Sequence, residues 1–541
     1  MNRALLLLLT LLILTVMNIF ASPYDMILVG DPVIEDIRFL SLESGRSFLS
    51  FTPPFAPHEV ENFINRIDTE TLSPPAREAY NRIRKRLTPS APLSLVWHNF
   101  SFFLNVNTTV EFKARFNNDI DWRPEYARAP SMLSVPFRFF FSDSLMLYFD
   151  PAVSIDLQDY YTNNHFSNNL VFFGGNNIHG NSPFRTFIAI GGSWWNFQLG
   201  RDRLSTGTGI SGNLSISDNP PFYEFMRVSF FSDYLKYSLT VNQNPLRVNK
   251  ALYPNVDDND ERMRMTTQRH FYLHRVDFNI FNILSVGISE GVMAGNSALE
   301  LRYLNPLMII HNAMTWRDYD IWAGFDDGHM NGHFFTAEIN WNIIKSLSAY
   351  GQFSMTQLAV GPEYGREDEY PNAIGLMFGL QYSRSIKSWG SIFYLEWILT
   401  SPFLYINQSP FASLIYMHSH LFVSEKMYYY YFSYPRDTLS VSAGARFFNG
   451  TTLDIKGEFS WIARGEHGGN LIVWDLEKDH SWAPSGIPEN NFILSVGADW
   501  KLFSFLTFSV SIIGIYSQNR NNIKGSNEIG GQVSVSVNFY Y

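Results

Sequence analysis

From Leu93 onward the chain alternates apolar and polar residues with a period of two, and it does so to its last residue. Phe335, Ala337, Ile339 and Trp341 are separated by Thr336, Glu338 and Asn340. Leu453, Ile455, Gly457, Phe459 and Trp461 are separated by Asp454, Lys456, Glu458 and Ser460, and Leu439, Val441, Ala443, Ala445 and Phe447 by Ser440, Ser442, Gly444 and Arg446. Phe508, Val510 and Ile512, and Phe492, Leu494, Val496 and Trp500, repeat the pattern. A period of two puts neighbouring side chains on opposite faces of a strand. Each segment therefore predicts a strand of about ten residues with one apolar and one polar face. Between residues 94 and 541 the pattern predicts about 16 to 18 such strands, with 18 favoured. Tight turns are expected near Gly191-Gly192 and Ile386-Lys387, and long polar loops over 158–181, 243–268, 312–331, 359–371 and 463–490.

Upstream the period is that of a helix. Asp31 and Pro32 open a segment with Val33, Ile37 and Leu40 on one face and Gly45 after its end. Pro57 opens a second, with Val60, Phe63, Ile64 and Ile67 at i, i+3, i+4 and i+7. Ser73 caps a third, whose stripe is Ala76, Tyr80, Ile83 and Leu87, and Pro89 stops it. Three short amphipathic helices make a small bundle or a lid. Before them stands Arg3, an unbroken apolar run from Ala4 to Met17, and small residues at Ala21-Ser22. That order is a secretory signal peptide. The expected layout is a signal peptide over 1–21, a periplasmic helical region over 22–92 and an outer-membrane β-barrel over 93–541.

Alternation alone does not choose between a sandwich and a membrane barrel. Composition adds to it: of 541 residues, 16% are aromatic and only 17% charged, against about a quarter charged in a typical domain. After the leader no run of about 18 apolar residues follows, so helices cannot span a bilayer. The tail supplies the last element. Val533, Val535, Val537, Phe539 and Tyr541 share one parity, and the chain ends on an aromatic residue. Val537, Phe539 and Tyr541 look like the insertion signal of the closing strand of outer-membrane barrels, which makes the insertion machinery and outer-membrane lipid expected partners. Lipid forbids an open sheet edge, so the strands must close into an all-β transmembrane barrel in the outer membrane of a diderm bacterium. Arg275, Asp277, Glu338, Glu396, Arg446, Asp454, Lys456, Glu458 and Asp499 would then face the lumen, because a basic residue facing the bilayer midplane costs about 2–4 kcal/mol.

Charge and cysteine content narrow the function. Forty Lys and Arg against fifty Asp and Glu give a net charge of −10, with no basic tract of the kind that binds phosphate backbones, so no nucleic-acid partner is expected. With no cysteine, disulfides, zinc-ribbon sites and a thiol nucleophile are excluded.

Residues 198–223 carry the most specific run: Gln198-Leu199-Gly200-Arg201, the glycine-rich turn Gly207-Thr208-Gly209-Ile210-Ser211-Gly212, then Asn213, Ser217, Asn219 and Pro220-Pro221-Phe222. His274-Arg275-Val276-Asp277, the Leu284 to Gly291 strand with Glu290, Tyr303-Leu304-Asn305-Pro306 and Tyr350-Gly351-Gln352-Phe353 follow in order. This resembles the Wzi-like capsule assembly family of outer-membrane barrels, whose layout is also a helical region followed by a barrel. Gly200, Arg201, Gly207, Gly209, Asn213, Ser217, Asn219, Pro221, Glu290, Asn305 and Pro306 are the positions that carry the motif. The chain departs from the family pattern in lacking Trp-Gly-Pro at the glycine turn and in having Thr356-Gln357 where an acidic pair is common. The resemblance implies a non-enzymatic barrel that binds or organises surface polysaccharide, in capsule or exopolysaccharide assembly and anchoring. A porin for small solutes is the alternative, since barrels of this size leave an aqueous channel unless something fills it.

The remaining motifs have plain readings. Gly207 to Gly212 matches G-x-G-x-x-G, but a dinucleotide site needs a helix after the turn, and strands flank this one. His329 and His333, four apart beside Asp326 and Asp327, would make a metal site on a helix, but Gly328 and Gly332 argue for a loop; His418 and His420 share one strand face, and Asp257, Asp258 and Asp260 could hold a loosely bound Ca²⁺ but lack a regular spacing of further ligands, so no metal or cofactor is expected. Phe139-Phe140-Phe141, Trp194-Trp195 and Tyr428 to Tyr431 are either interfacial girdle residues or sugar-stacking platforms. Ser, His and acidic residues are abundant, but the sequence does not single out a catalytic triad among them, and no enzyme is expected. For a glycan, the aromatic and acidic side chains of one predicted external loop are the candidates: Trp316, Asp318, Tyr319, Asp320, Trp322, Asp326 and Asp327.

Overall fold

The computed structural model describes residues 24–97, 99–117, 120, 131–141, 144–155, 165–167, 178–179, 185–220, 222–244, 246–247, 266–295, 298–307, 331–358, 372–407, 411–419, 425–429, 436–450, 452–468 and 483–541. The candidate glycan residues Trp316, Asp318, Tyr319, Asp320, Trp322, Asp326 and Asp327 lie outside them, as do Pro221, Asp257, Asp258, Asp260, His329 and His420. So does the leader over residues 1–21.

Each long strand pairs antiparallel with the next, and the ring closes where Asn527–Tyr540 pairs with Asn107–Phe116. The sheet comprises 24 ladder segments. Phe100–Leu104 and Asn107–Phe116 form one strand, because Phe100↔Phe141, Leu104↔Phe137 and Asn107↔Ser134 share a single register. Leu133–Ser134 joins Phe137–Phe141 in the same way, and Leu145–Phe149 joins Ala152–Ile155. Leu93–Trp97 is an edge strand below the ring, and His165–Ser167 and Ile178–His179 are short extensions at its top. Taking these three away and merging the three pairs leaves, among the described residues, a barrel of eighteen strands. Closure leaves no unpaired edge for lipid to meet.

The two faces of each strand differ as their sequences do. In Asn331–Ile344, Ile339 and Trp341 are about 45% exposed outward, while the intervening Glu338 and Asn340 are buried inward. Trp194, Trp341, Trp389 and Trp500 ring the outside at one end, and Trp461, Phe492 and Tyr516 stand outside near the other. Eight residues separate Trp461 from Leu453, about 20 Å at a rise of ~3.3 Å and a tilt of ~40°. The Phe139-Phe140-Phe141 run splits by parity. Phe139 and Phe141 face out and pack on Phe102 and Phe100 at 4.9 and 5.2 Å, whereas Phe140 is buried inside. Trp194 stacks on Phe230 at 5.9 Å, in the outer girdle.

All connections at one end are short, and several reverse on residues in the left-handed region: Asn282 at φ 59°, Ser346 at 71° and Lys387 at 54°. Into this end packs the helical segment. Its helices run Val33–Ser44, Pro57–Ile64 and Pro74–Arg86. Asp31 Oδ1 accepts from Val33 N at 3.0 Å and Ser73 Oγ from Ala76 N at 3.4 Å, meeting backbone donors that the first turn leaves free. Gly45, at φ 68°, ends the first helix by donating to Leu42 O. The apolar faces converge on Phe48, Phe51, Phe55 and Phe63, and the cluster runs on to Ile392 and Phe448 of the barrel wall. Phe39 meets Phe448 edge-on at 4.9 Å. The helices therefore fill the barrel instead of hanging below it, because the inner wall supplies the apolar surface that a three-helix bundle this small cannot supply itself. Among the described residues, no helix is long and apolar enough to cross a membrane.

Candidate functional site

The plug is tied to the wall by buried charge. Arg86 donates to Asp31 at 2.7 Å, to Asp25 at 2.9 Å and to the Met26 carbonyl at 2.9 Å, and Arg138 of the wall reaches the same Asp25 at 2.6 Å. Lys236, fully buried, is held by Glu59 and by Thr52 Oγ1. Arg227 donates to the carbonyls of Thr52 and Pro54. Arg82 grips Asp36 with two hydrogen bonds, of 2.6 and 2.9 Å. Burial pushes the Asp36 carboxyl above its ordinary value, with the Arg82 pairing opposing that rise.

From the opposite end, residues 203–220 fold inward and meet the plug. Ser205 N donates to Pro53 O and Gly207 N to Phe51 O, while Arg38 Nη1 donates to Thr208 O at 2.8 Å. Leu204, Leu214 and Ile216 are buried. The glycines are required by close approach. Gly207 sits at φ 128°, and a Cβ there would lie 2.2 Å from Gln352 Nε2 and 2.4 Å from Asn213 Oδ1. At Gly209 it would lie 1.9 Å from Gly212 O.

Two wall carboxylates take the amides this turn presents. Glu396 accepts from Ile210 N at 2.6 Å, Ser211 N at 2.9 Å, Ser211 Oγ and Tyr350 OH at 2.5 Å. Glu338 accepts from Thr208 N at 3.1 Å and pairs with Arg275 at 3.2 Å, which also holds Asp277 at 2.6 Å. Ser50 of the plug donates to Asp277 at 2.9 Å, closing the circuit. Gln352 accepts from Leu214 N and donates to Asn213, whose Oδ1 also takes Gly209 N. The G-x-G-x-x-G match is thus an anion nest whose anions are the protein's own carboxylates.

The motif residues divide between several places. Gly207, Gly209, Asn213 and Ser217 belong to this inward loop, with Ser217 O accepting from Tyr223 OH at 2.6 Å. Gly200 is at φ 139° in the strand before it. Arg201 pairs with Glu224 and lies 4.1 Å over the Phe222 ring. Asn219 lies in the same loop, between Ser217 and the strand that starts at Tyr223. Glu290, Asn305 and Pro306 stand elsewhere, on or beside the outer wall, where Glu290 meets His333 at 3.1 Å and Asn305 Oδ1 accepts from Leu307 N. Val537 and Phe539 face outward in the closing strand, and Tyr541 stacks on Phe505 at 6.0 Å. Pattern reading put Glu338 and Glu396 on the inward parity, but nothing in the sequence says that they clasp the glycine turn. Their separations of 130 and 186 residues are set by the curvature of the barrel.

One sector of the lumen is solvent-accessible. Lys456 is 56% and Asp499 47% exposed on the inner face, and Ser495, Ser509, Ser511, Ser534, Ser536 and Asn538 line the wall beside them at intermediate exposure. At the rim, Asp437 is buried and accepts from Ser485 N at 2.8 Å and His467 N at 3.0 Å, tying two loop stems together. Among the described residues, no cluster of three or more His, Asp or Glu is arranged to hold a metal.

Neither a protein-family model nor a curated protein matches the chain. Solved structures do. Wzi of Escherichia coli, an outer membrane protein involved in group 1 capsule assembly and described as a carbohydrate-binding β-barrel, is similar over 94% of this chain and 98% of its own. The TM-score is 0.53 and the identity 12%. OccK10 (OpdN) and OprD of Pseudomonas aeruginosa each align over 81% of this chain, and over 98% and 95% of their own, at TM-scores of 0.39 and 8% identity. The fold is that of a Wzi-like outer-membrane β-barrel.

Proposed function

We propose that this barrel binds and organises polysaccharide at the cell surface, anchoring capsule or exopolysaccharide without chemical turnover. The observation that carries the reading is that chain from both ends of the barrel meets inside it. A helical plug from the short-turn end and the glycine-rich loop from the other meet at Phe51, Pro53 and Arg38, through backbone hydrogen bonds and the Arg38 guanidinium on the Thr208 carbonyl. A barrel built this way spends its interior on rigidity and leaves its outer loops as the place for recognition. The reading takes the short-turn end, from which the helices enter, as the periplasmic one, and the 308–330 segment, with Trp316, Asp318, Tyr319, Asp320, Trp322, Asp326 and Asp327, as an external loop. Aromatic faces that stack on sugar rings beside carboxylates that bond hydroxyls suit a glycan. The carbohydrate named for the E. coli barrel supports the same class of ligand. The reading also takes residues 1–21 as the export signal and Val537, Phe539 and Tyr541 as the segment read by the insertion machinery.

The test is the fate of polysaccharide in cells lacking the gene, with the gene restored as control. Glycan made but shed into the medium supports anchoring, and unchanged retention refutes it. The solvent-accessible sector at Lys456, Asp499 and the serine-lined wall favours a second reading, passage of small solutes. Planar-bilayer recording separates the two: steady conductance supports a channel, and silence supports the sealed anchor.

A further inference from the structure

The outer wall is not lipid-facing throughout. In Leu284–Gly295 the even residues point outward, and Ile288 is 45% exposed, yet Val292 and Ala294 above it are fully buried. The same change occurs in two neighbours. Leu235 and Phe278 are exposed at the lower end, while Leu239, Val241 and Tyr272 higher on the same outward faces are buried. What covers them is the chain itself. On leaving the strand at Gly295 it returns down the outside, and Tyr303 and Leu304 pack into the Leu239, Val241, Tyr272 and Val292 cluster. Polar groups pin this return. His274 Nε2 meets Tyr303 O at 2.7 Å, Tyr237 OH meets His274 Nδ1 at 2.9 Å, and Glu300 N donates to Tyr272 OH at 2.8 Å. His274 stands six residues above the strand's lower end at Ile280, about 15 Å up a band ~25 Å tall. The flap therefore lies within the apolar band, in its upper half.

We propose that residues 298–307 form a membrane-inserted flap whose outer face docks on acyl chains of the outer leaflet. Its inward side chains fill the wall, and the large apolar ones turned away are Leu299, Leu301 and Leu307, 48%, 78% and 90% exposed, with Ala298, Asn305 and Pro306 exposed beside them. Glu300 and Arg302, which would be costly beside lipid, pair with each other and stay largely covered. The leucines continue the lipid-facing surface begun by Ile288 and Ile339 directly below, which makes acyl chains the occupant. The flap then fixes at the membrane the stem of the segment that leads to Trp316 and Trp322.

The chain has no cysteine, so Leu301→Cys and, separately, Leu307→Cys accept a single environment-sensitive nitrobenzoxadiazole label in the full-length protein in phosphatidylcholine vesicles. Ile339→Cys is the lipid-facing control and exposed Lys524→Cys the aqueous one. The expected result is blue-shifted emission, at least twofold quenching by acyl-brominated lipid, and iodide quenching close to that of the Ile339 control. Iodide quenching at the level of the Lys524 control overturns the proposal. Protection from both quenchers, with disulfide-linked dimers of the unlabelled Leu301→Cys protein, also overturns it and assigns the face to a second copy.

Discussion

Ile210 donates its backbone N–H to Glu396 across the barrel interior at 2.6 Å, the shortest of the bonds that hold the glycine-rich loop by its amides. The carboxylate also takes Ser211 N and Tyr350 OH, so one side chain of the wall meets several donors of a loop that would otherwise be buried without partners. Charge-assisted bonds of this kind are about twice as strong as neutral ones. Glu396 is thus the clasp of the upper closure, as Asp25 between Arg86 and Arg138 is of the lower one.

Replacing Glu396 by Ala strands those donors. At about 1–3 kcal/mol for each buried donor left unsatisfied, docking of the loop weakens by about 3 kcal/mol or more, while the strands, which do not depend on it, stay paired. The expected outcome is intermittent conductance in planar bilayers and protease cleavage within 203–220 at unchanged far-UV circular dichroism. A variant as silent and resistant as the parent removes Glu396 from this role.

Gly207 and Gly497 make a matched pair. A Cβ at Gly207 meets Gln352 and Asn213 far inside contact distance, at a φ that L residues rarely adopt. At Gly497, in the solvent-accessible sector, the nearest atom is Val510 O at an ordinary 3.6 Å. Gly207→Ala should lower the melting temperature by several degrees or release the loop, and Gly497→Ala should leave both unchanged. Equal effects at the two sites would show that space inside the barrel is not distributed as described.

The strands, their number and their inward and outward faces were legible because each residue has only two directions to point, and lipid and water reward opposite choices. The aromatic Tyr541 end and the alternation before it led to a closed ring for the same reason. What the helices pack against was not legible: the stripe of Ala76, Tyr80 and Ile83 says that one face is buried, but Ile392 and Phe448 become its partners only when the ring closes. The glycine run could be read as a turn between strands without revealing Glu338 or Glu396 as its acceptors. Glu290 and His333 were legible as motif and polar-loop residues, not as a pair on the outer wall, because a returning flap leaves the alternation of the strand beneath it unchanged.

Arg86 is the hinge of the lower closure. It is one-quarter exposed, yet it joins Asp31, Asp25 and the Met26 carbonyl, and Asp25 is buried. Breaking a buried pair costs about 3–5 kcal/mol, reduced here because Arg138 still holds Asp25. Arg86→Ala should destabilise the helical segment by about 2–3 kcal/mol on that scale, seen as faster hydrogen exchange over residues 24–89 with the barrel strands protected. Adding Asp31→Asn should cost less than its separate effect, since both act through one contact. Full additivity would argue against it.

His58 gives the plug a pH dependence. Burial holds its imidazole below the ordinary value, and Glu61 at 3.8 Å opposes that shift only in part. A group whose folded pKa is depressed leaves stability intact above its unfolded value, about 6.5, and loses it as pH falls through that value to the lower folded one. Plug protection measured by hydrogen exchange should therefore be constant from pH 8 to 7 and decline below about 6.5. His58→Gln should remove the decline that begins there. A variant that loosens over the same range as the parent places the sensitivity elsewhere.

Recognition is predicted to separate from folding at the outer loop. Trp316, Tyr319 and Trp322 offer ring faces and Asp318, Asp320, Asp326 and Asp327 offer acceptors within a few residues, and a sugar–aromatic contact gains from the apolar face of the pyranose while carboxylates satisfy its hydroxyls. The eighteen-strand ring and both closures are built from other residues. Trp316→Ala with Trp322→Ala should therefore reduce binding of purified surface polysaccharide by about tenfold or more, the equivalent of roughly 1.4 kcal/mol, with melting temperature and membrane insertion unchanged. Asp326→Asn with Asp327→Asn should weaken binding less and alter its salt dependence, because exposed charges steer more than they hold. If all four substitutions leave binding intact in a correctly inserted barrel, the glycan is held elsewhere on the rim or the protein binds none.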